Sequence, residues 1–172
     1  MMLQEKIRII ENFPKEGISF KDITPIFQDA QALKELIDIF KSQVEGMEID
    51  VVVGPEARGF LIGAPLAYAI GAGFVPIRKP GKLPSDTLRY EYALEYGTDT
   101  LEIHKDAIKK GQKVLIVDDL LATGGTISSV AKLVEELGGE VVSMNFIVEL
   151  TGLEGIKKLE KYNVTSLLKY EF

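Results

Sequence analysis

The stretch Val114-Leu115-Ile116-Val117-Asp118-Asp119-Leu120-Leu121-Ala122-Thr123-Gly124-Gly125-Thr126 decides how this chain folds. Lys113 to Val117 reads as a strand that stops at the acid pair Asp118-Asp119. A turn of small residues follows, and then Ile127, Val130, Ala131, Val134 and Leu137 recur at the spacing of one helix face. Gly138-Gly139 ends that helix. In open parallel sheets, ligands sit beyond the carboxyl ends of the strands, where this turn lies. Small side chains from Ala122 to Thr126 let backbone N–H groups close around an anion, and the helix N-terminus adds partial positive charge. Thr123 and Thr126 add hydroxyl donors, so the turn suits a phosphate monoester. Asp118 and Asp119 are acceptor-only when ionised and would repel a phosphate. They match the adjacent hydroxyls of a ribose, and Asp118 is a candidate to reach a hydrated Mg²⁺ through water. The bland alternative is a Gly-rich connection with two solvated acids. The string lacks the Gly-Lys-Ser/Thr ending of a Walker A loop and is not GxGxxG.

Outward from this stretch, the chain alternates helical and apolar extended segments. Leu33, Leu36, Ile37, Phe40 and Val44 predict a helix over 31–44. Ile49 to Val53, Phe74 to Ile77, Val141 to Val148 and Val164 to Lys169 predict strands. Residues 59–70 predict a helix although Pro65 lies within it. The expected fold is α/β, a parallel sheet flanked by helices, in a single domain spanning 1–172. Two regions fit the alternation poorly. Residues 1–30 read as an irregular flank, and residues 79–103 as a long polar, tyrosine-bearing excursion of the kind that often forms a lid.

Composition narrows the function. Of 172 residues, 46% are hydrophobic and 27% charged, as in an ordinary globular protein. There is no cysteine, which excludes disulfides and thiolate metal sites. With no secretory h-region and no long apolar run, a cytoplasmic protein with no membrane partner is expected. A net charge of −6 argues against a general nucleic-acid binder. Arg78, Lys79 and Lys82 nevertheless form a local cationic cluster fit for a polyphosphate. His104, the one histidine, reads as a polar residue at a strand end with no companion for a metal site.

VLIVDDLLATGGT closely resembles the phosphoribosyl-pyrophosphate (PRPP) motif of type I phosphoribosyltransferases. Other segments resemble the adenine phosphoribosyltransferase family in particular. Asn12 to Pro25 (NFPKEGISFKDITP) is similar to its hood, Gly54 to Phe60 (GPEARGF) to its pyrophosphate loop, and Ile77 to Pro84 with Tyr92 to Gly97 to its flexible loop. The similarity runs from about residue 12 to about residue 152. Glu16 stands where the family often has proline, and Lys21 where arginine is usual.

The resemblance implies the type I phosphoribosyltransferase fold, with a small N-terminal hood at about 1–30 and a flexible loop at about 79–103. It implies displacement of pyrophosphate from C1 of PRPP by adenine, giving AMP, with Mg²⁺ bound alongside PRPP and a homodimer as the assembly. Ala122, Thr123, Gly124, Gly125 and Thr126 would hold the 5′-phosphate, and Asp118 and Asp119 the ribose hydroxyls. Arg58, Lys79, Lys82 and Tyr96 would face the pyrophosphate, with Arg58 and Glu95 as the catalytic residues and Glu95 near the N9 proton of adenine. Ser19, Phe20, Lys21 and Leu150 would surround the base, Phe20 by stacking. A non-proline cis peptide is expected around Glu56-Ala57. Two alternatives stay open: a phosphoribosyltransferase for another base, and a PRPP-binding regulator without catalysis. PRPP synthetase-like chemistry would need a two-lobed chain longer than this one.

Overall fold

The computed structural model describes residues 2–94 and 96–172. The chain begins with α1 (Met2–Lys6), strands β1 (Arg8–Glu11) and β2 (Ser19–Asp22), α2 (Thr24–Gln28) and α3 (Ala30–Gln43). Next come β3 (Val51–Pro55), α4 (Arg58–Ile70), β4 (Gly73–Ile77), β5 (Thr87–Ala93) and β6 (Thr98–His104). The decisive stretch supplies β7 (Lys113–Leu121) and α5 (Gly125–Glu136), followed by β8 (Glu140–Leu150), two short 3₁₀ segments and β9 (Val164–Tyr170).

Five strands form the central sheet in the order β4-β3-β7-β8-β9, and every pairing is parallel. The apolar runs are continuous because helices cover both faces. Along β7, Leu115 and Val117 point into the layer containing Leu36, Phe40, Ile62 and Leu66 of α3 and α4. Val114 and Ile116 point the other way, into Ile127, Val130, Leu133 and Val134 of α5 and Leu101 and Ile103 of β6. Strand pleat thus divides one sequence run between two cores. β3 lies beside the strand that follows it on one side and beside β7 on the other, so the winding reverses between β3 and β7. The crevice beyond their carboxyl ends is the topological switch point, the expected place for a ligand.

Local chemistry explains the helices. Asp29 caps α3 by accepting from the backbone N–H of Gln31 and Ala32, at 2.9 Å each. α4 runs through Pro65. The residue one turn back, Leu61, lies on the exposed side, where water can take the carbonyl that proline leaves without a donor. No described helix is long and apolar enough to cross a membrane.

Three expectations change. β7 does not stop at Asp118-Asp119 but continues to Leu121, because Leu120 and Leu121 pair with Val148 and Glu149 of β8. Residues 2–28 are ordered as α1, an antiparallel β1–β2 pair and α2, with Leu3 and Ile26 fully buried. Most of the excursion after Lys79 is a β5–β6 hairpin, its apolar face carried by Leu101 and Ile103. His104 ends β6, as expected, and its Nε2 accepts from the backbone N–H of Ser85 at 3.3 Å.

Candidate active site

At the switch point, β3 delivers Gly54-Pro55 and β7 delivers Asp118 and Asp119. The chain leaves β3 through a cis Glu56-Ala57 peptide and enters α4 at Arg58. Arg58 Nε donates to Asp119 Oδ2 at 2.5 Å, which ties the start of α4 to the end of β7. The backbone N–H of Asp119 donates to Asp118 Oδ1 at 2.9 Å. Burial, followed by the charge of Asp119, pushes the Asp118 carboxyl well above the ordinary aspartate value. Arg58 is partly desolvated, but Asp119, and more weakly Asp118 and Asp22, hold it firmly protonated.

Ala122 to Gly124 then turn the chain into α5. Arg58, Asp118, Asp119, Thr123, Gly124 and Thr126 share a hollow of about 200 Å³. Gly124 has φ +85°, a conformation that disfavours any side chain, and it abuts the Gly155 backbone. A Cβ on Gly155 would fall 2.2 Å from the carbonyl oxygen of Ala122. The second 3₁₀ segment after β8, which opens at Gly155, therefore buttresses the turn from behind. A larger hollow of about 870 Å³ is lined by Lys41, Val44, Met47 and Ile49, at the amino end of β3 and away from these strand ends.

The cationic segment meets the crevice through carboxylates. Glu56 accepts from Lys82 Nζ at 2.5 Å, from Arg78 Nε at 3.2 Å and from the backbone N–H of Lys79 at 2.8 Å. Burial alone would raise the Glu56 carboxyl, but these hydrogen bonds and charges hold it below the ordinary value. Lys79 Nζ pairs with Asp99, which also accepts from Tyr92 Oη at 3.2 Å. Tyr92 Oη lies 3.3 Å from Thr126 Oγ1, so the hairpin touches the turn between β7 and α5. Glu102 is 3% exposed and accepts from the Gly81 backbone, Thr87 and Arg89, fixing the base of the segment. Tyr96 is 89% exposed and contacts none of this network. Glu95 lies outside the described residues.

On the far side, Phe20 in β2 is half-buried and packs edge-to-face on Phe13 at 5.2 Å. Lys21 Nζ donates to Ser19 Oγ at 2.7 Å and lies over the Tyr170 ring. Tyr170 pairs in register with Leu150, which brings Ser19 and Lys21 to the carboxyl ends of β8 and β9.

Residues 22–170 match the model of the phosphoribosyl transferase domain. The chain belongs to the phosphoribosyltransferase family. Within it, the chain groups with the adenine phosphoribosyltransferases. It is 65% identical to the adenine phosphoribosyltransferase of Alkaliphilus metalliredigens over 170 residues, 99% of this chain and 100% of that protein. The crystal structure of adenine phosphoribosyltransferase from Thermoanaerobacter pseudethanolicus superposes with a TM-score of 0.95 at 60% identity, covering 98% of each chain. The Saccharomyces cerevisiae adenine phosphoribosyltransferase, solved with an imino-altritol bisphosphate and adenine, gives 0.93 at 45% identity over 96% of each chain.

Several residues that line or brace this crevice escaped the sequence reading. Glu56 and Tyr92 were visible only as parts of motifs, and Asp99 and Glu102 only as polar residues in an excursion. Their signal is the hairpin register, which sets Tyr92 opposite Asp99 and brings Glu102 to Arg78. Gly155 carried no local signal, because its constraint comes from Ala122, far away in sequence. For Mg²⁺, the adjacent carboxylates of Asp118 and Asp119 fit outer-shell contact with a hydrated hard cation.

Proposed function

We propose that this crevice transfers the 5-phosphoribosyl group of PRPP to adenine, releasing AMP and pyrophosphate. One observation carries the reading: the Arg58–Asp119 contact sets a pyrophosphate-type loop against a ribose-type acid pair, directly beside a phosphate-type turn. Three subsites thus follow one another as the three parts of PRPP do.

In this reading Ala122 to Thr126 hold the 5′-phosphate by backbone N–H groups and the Thr123 and Thr126 hydroxyls. Asp118 and Asp119 accept from the ribose 2′- and 3′-hydroxyls. Arg58 lets go of Asp119 in part and turns its fork to the departing pyrophosphate, joined by Lys79, Lys82 and Tyr96 from the hairpin side. N9 of adenine forms the bond to C1 as the C1–oxygen bond to pyrophosphate breaks, with inversion. Glu95 takes the N9 proton. Positive charge grows on the sugar and negative charge on the leaving group, so in-line positioning and the cations around pyrophosphate carry most of the acceleration. Mg²⁺, when bound with PRPP, neutralises part of the diphosphate charge. Phe20 stacks on the base, Leu150 packs on its other face, and backbone groups near Ser19 and Lys21 read the amino edge. An acceptor aimed at that edge leaves the oxo group of hypoxanthine or guanine unpaired, at a cost of about 1–3 kcal/mol.

A homodimer belongs to the same reading. It is supported by α4, where Leu61, Ala64 and Tyr68 form an exposed apolar stripe and Tyr68 is 91% exposed. A cytoplasmic setting rests on the family resemblance. The test is to supply PRPP, Mg²⁺ and adenine and follow AMP and pyrophosphate together. One-to-one formation supports the reading. Tight PRPP binding without nucleotide would favour a non-catalytic PRPP binder instead. Glu95→Ala should slow turnover while leaving PRPP affinity largely intact, and an unchanged rate would remove Glu95 from the mechanism.

A further inference from the structure

Glu56 has no role in the reaction as set out above, yet it holds the side chains of both Lys82 and Arg78, two of the three cations clustered at 78–82. Its Oε2 accepts from Lys82 Nζ at 2.5 Å. Its Oε1 accepts from Arg78 Nε at 3.2 Å and from the Lys79 backbone N–H at 2.8 Å. The side chain is only 13% exposed, so water screens these contacts weakly. One carboxylate therefore presents two anionic oxygens to an ammonium, a guanidinium and a backbone donor. Two oxygens of a phosphate would make the same demand of the same three groups. Glu56 also lies one residue from Ala57 and two from Arg58, so its grip reaches the cations from inside the pyrophosphate loop.

We propose that Glu56 is a positioning residue that competes with pyrophosphate for Lys82 and Arg78, and so sets how weakly the leaving group is held once the glycosidic bond has formed. This rests on the proposed transfer reaction. When pyrophosphate is present, Lys82 and Arg78 exchange a carboxylate for phosphate oxygens. When pyrophosphate departs, Glu56 takes them back, and neither cation is left uncompensated. The exchange lowers the net affinity for free pyrophosphate, because each cation brought to the ligand leaves an anion behind in a site of low dielectric. Any other anion that lacks the reach to displace Glu56 is discriminated against in the same way.

The sign separates this role from a structural one. Damage to the loop weakens pyrophosphate binding, whereas removal of a competitor tightens it. The experiment is calorimetric titration of Mg-pyrophosphate into the full-length wild-type protein, Glu56→Gln and Glu56→Ala, each with a melting curve. Glu56→Gln keeps the shape and an acceptor for the Lys79 N–H, and Glu56→Ala removes both. The expected result is pyrophosphate binding tightened roughly tenfold in both variants, with adenine affinity unchanged and with the gain reduced when Lys82→Ala is added and abolished when Arg78→Ala is added as well. Unchanged or weaker pyrophosphate binding in the folded variants would overturn the proposal. So would a gain that survives Lys82→Ala and Arg78→Ala together. Absence of both PRPP and pyrophosphate binding in the wild type would instead bring down the transfer reading, and this inference with it.

Discussion

The carbonyl oxygen of Ala122 occupies the space where a Cβ on Gly155 would stand, 2.2 Å away. The turn proposed to hold the 5′-phosphate is thus seated on backbone from beyond β8, and its shape depends on a residue that touches no proposed substrate group. Gly155→Ala must push the turn or the 3₁₀ segment aside, at about 1–3 kcal/mol. The expected outcome is a lowered melting temperature and a KM for PRPP raised about tenfold, with the KM for adenine little changed. Steady-state kinetics with each substrate varied separately checks this.

Asp118 ties function to stability in opposite directions. Burial and the charge of Asp119 raise its carboxyl above the ordinary aspartate range. The folded state therefore keeps a proton that the unfolded chain has already lost. Ligand-free stability falls as pH rises from the ordinary aspartate value through the raised one, and stays lower beyond it. Asp118→Asn removes that dependence. The variant should melt at a higher temperature than the wild type near neutrality, with the difference shrinking in acid. Its PRPP affinity should fall roughly 10- to 100-fold, as expected when hydroxyls lose a charged acceptor. Melting curves across pH without ligand, paired with PRPP titration, test both halves.

Arg58 meets Asp119 through one nitrogen, its Nε at 2.5 Å, which leaves the rest of its fork for a ligand. Lysine keeps the charge but cannot span Asp119 and two phosphate oxygens together. Arg58→Lys is expected to lower kcat by about 10²-fold, the usual effect of losing one transition-state donor. Equal kcat in variant and wild type would assign the leaving-group contact elsewhere.

Phe20 supplies the proposed stacking face, supported edge-on by Phe13. Phe20→Ala removes an interaction of about 1–3 kcal/mol per base. The KM for adenine should rise while the KM for PRPP holds. A parallel rise in both would make Phe20 a packing residue.

The sheet was legible because its strands and helices announce themselves by period. Leu36, Ile37 and Phe40 mark α3, and Val114 to Val117 mark β7, through burial alone. The end of β7 was misjudged because Asp118 and Asp119 look like a strand breaker. Backbone pairing to β8 carries the strand past them, and side-chain polarity says nothing of that ladder. The turn from Ala122 to Thr126 was legible as a turn because its small residues, with Gly124 at φ +85°, let the chain reverse from β7 into α5. The ion pairs Glu56–Lys82 and Asp99–Lys79 were not, since each joins residues more than fifteen positions apart through tertiary packing. The pairing of β3 with β4 carries Glu56 to the segment after Ile77, and the Arg78–Glu102 bridge carries Lys79 to Asp99.

The central claim is tested most directly by offering the protein PRPP and Mg²⁺ with adenine, hypoxanthine and guanine together in equal amounts, and resolving the nucleotides formed. The account predicts AMP with pyrophosphate in equal yield and no more than traces of IMP or GMP. Comparable IMP or GMP would contradict the base assignment built on Ser19, Phe20, Lys21 and Leu150. No nucleotide at all would contradict the transfer itself.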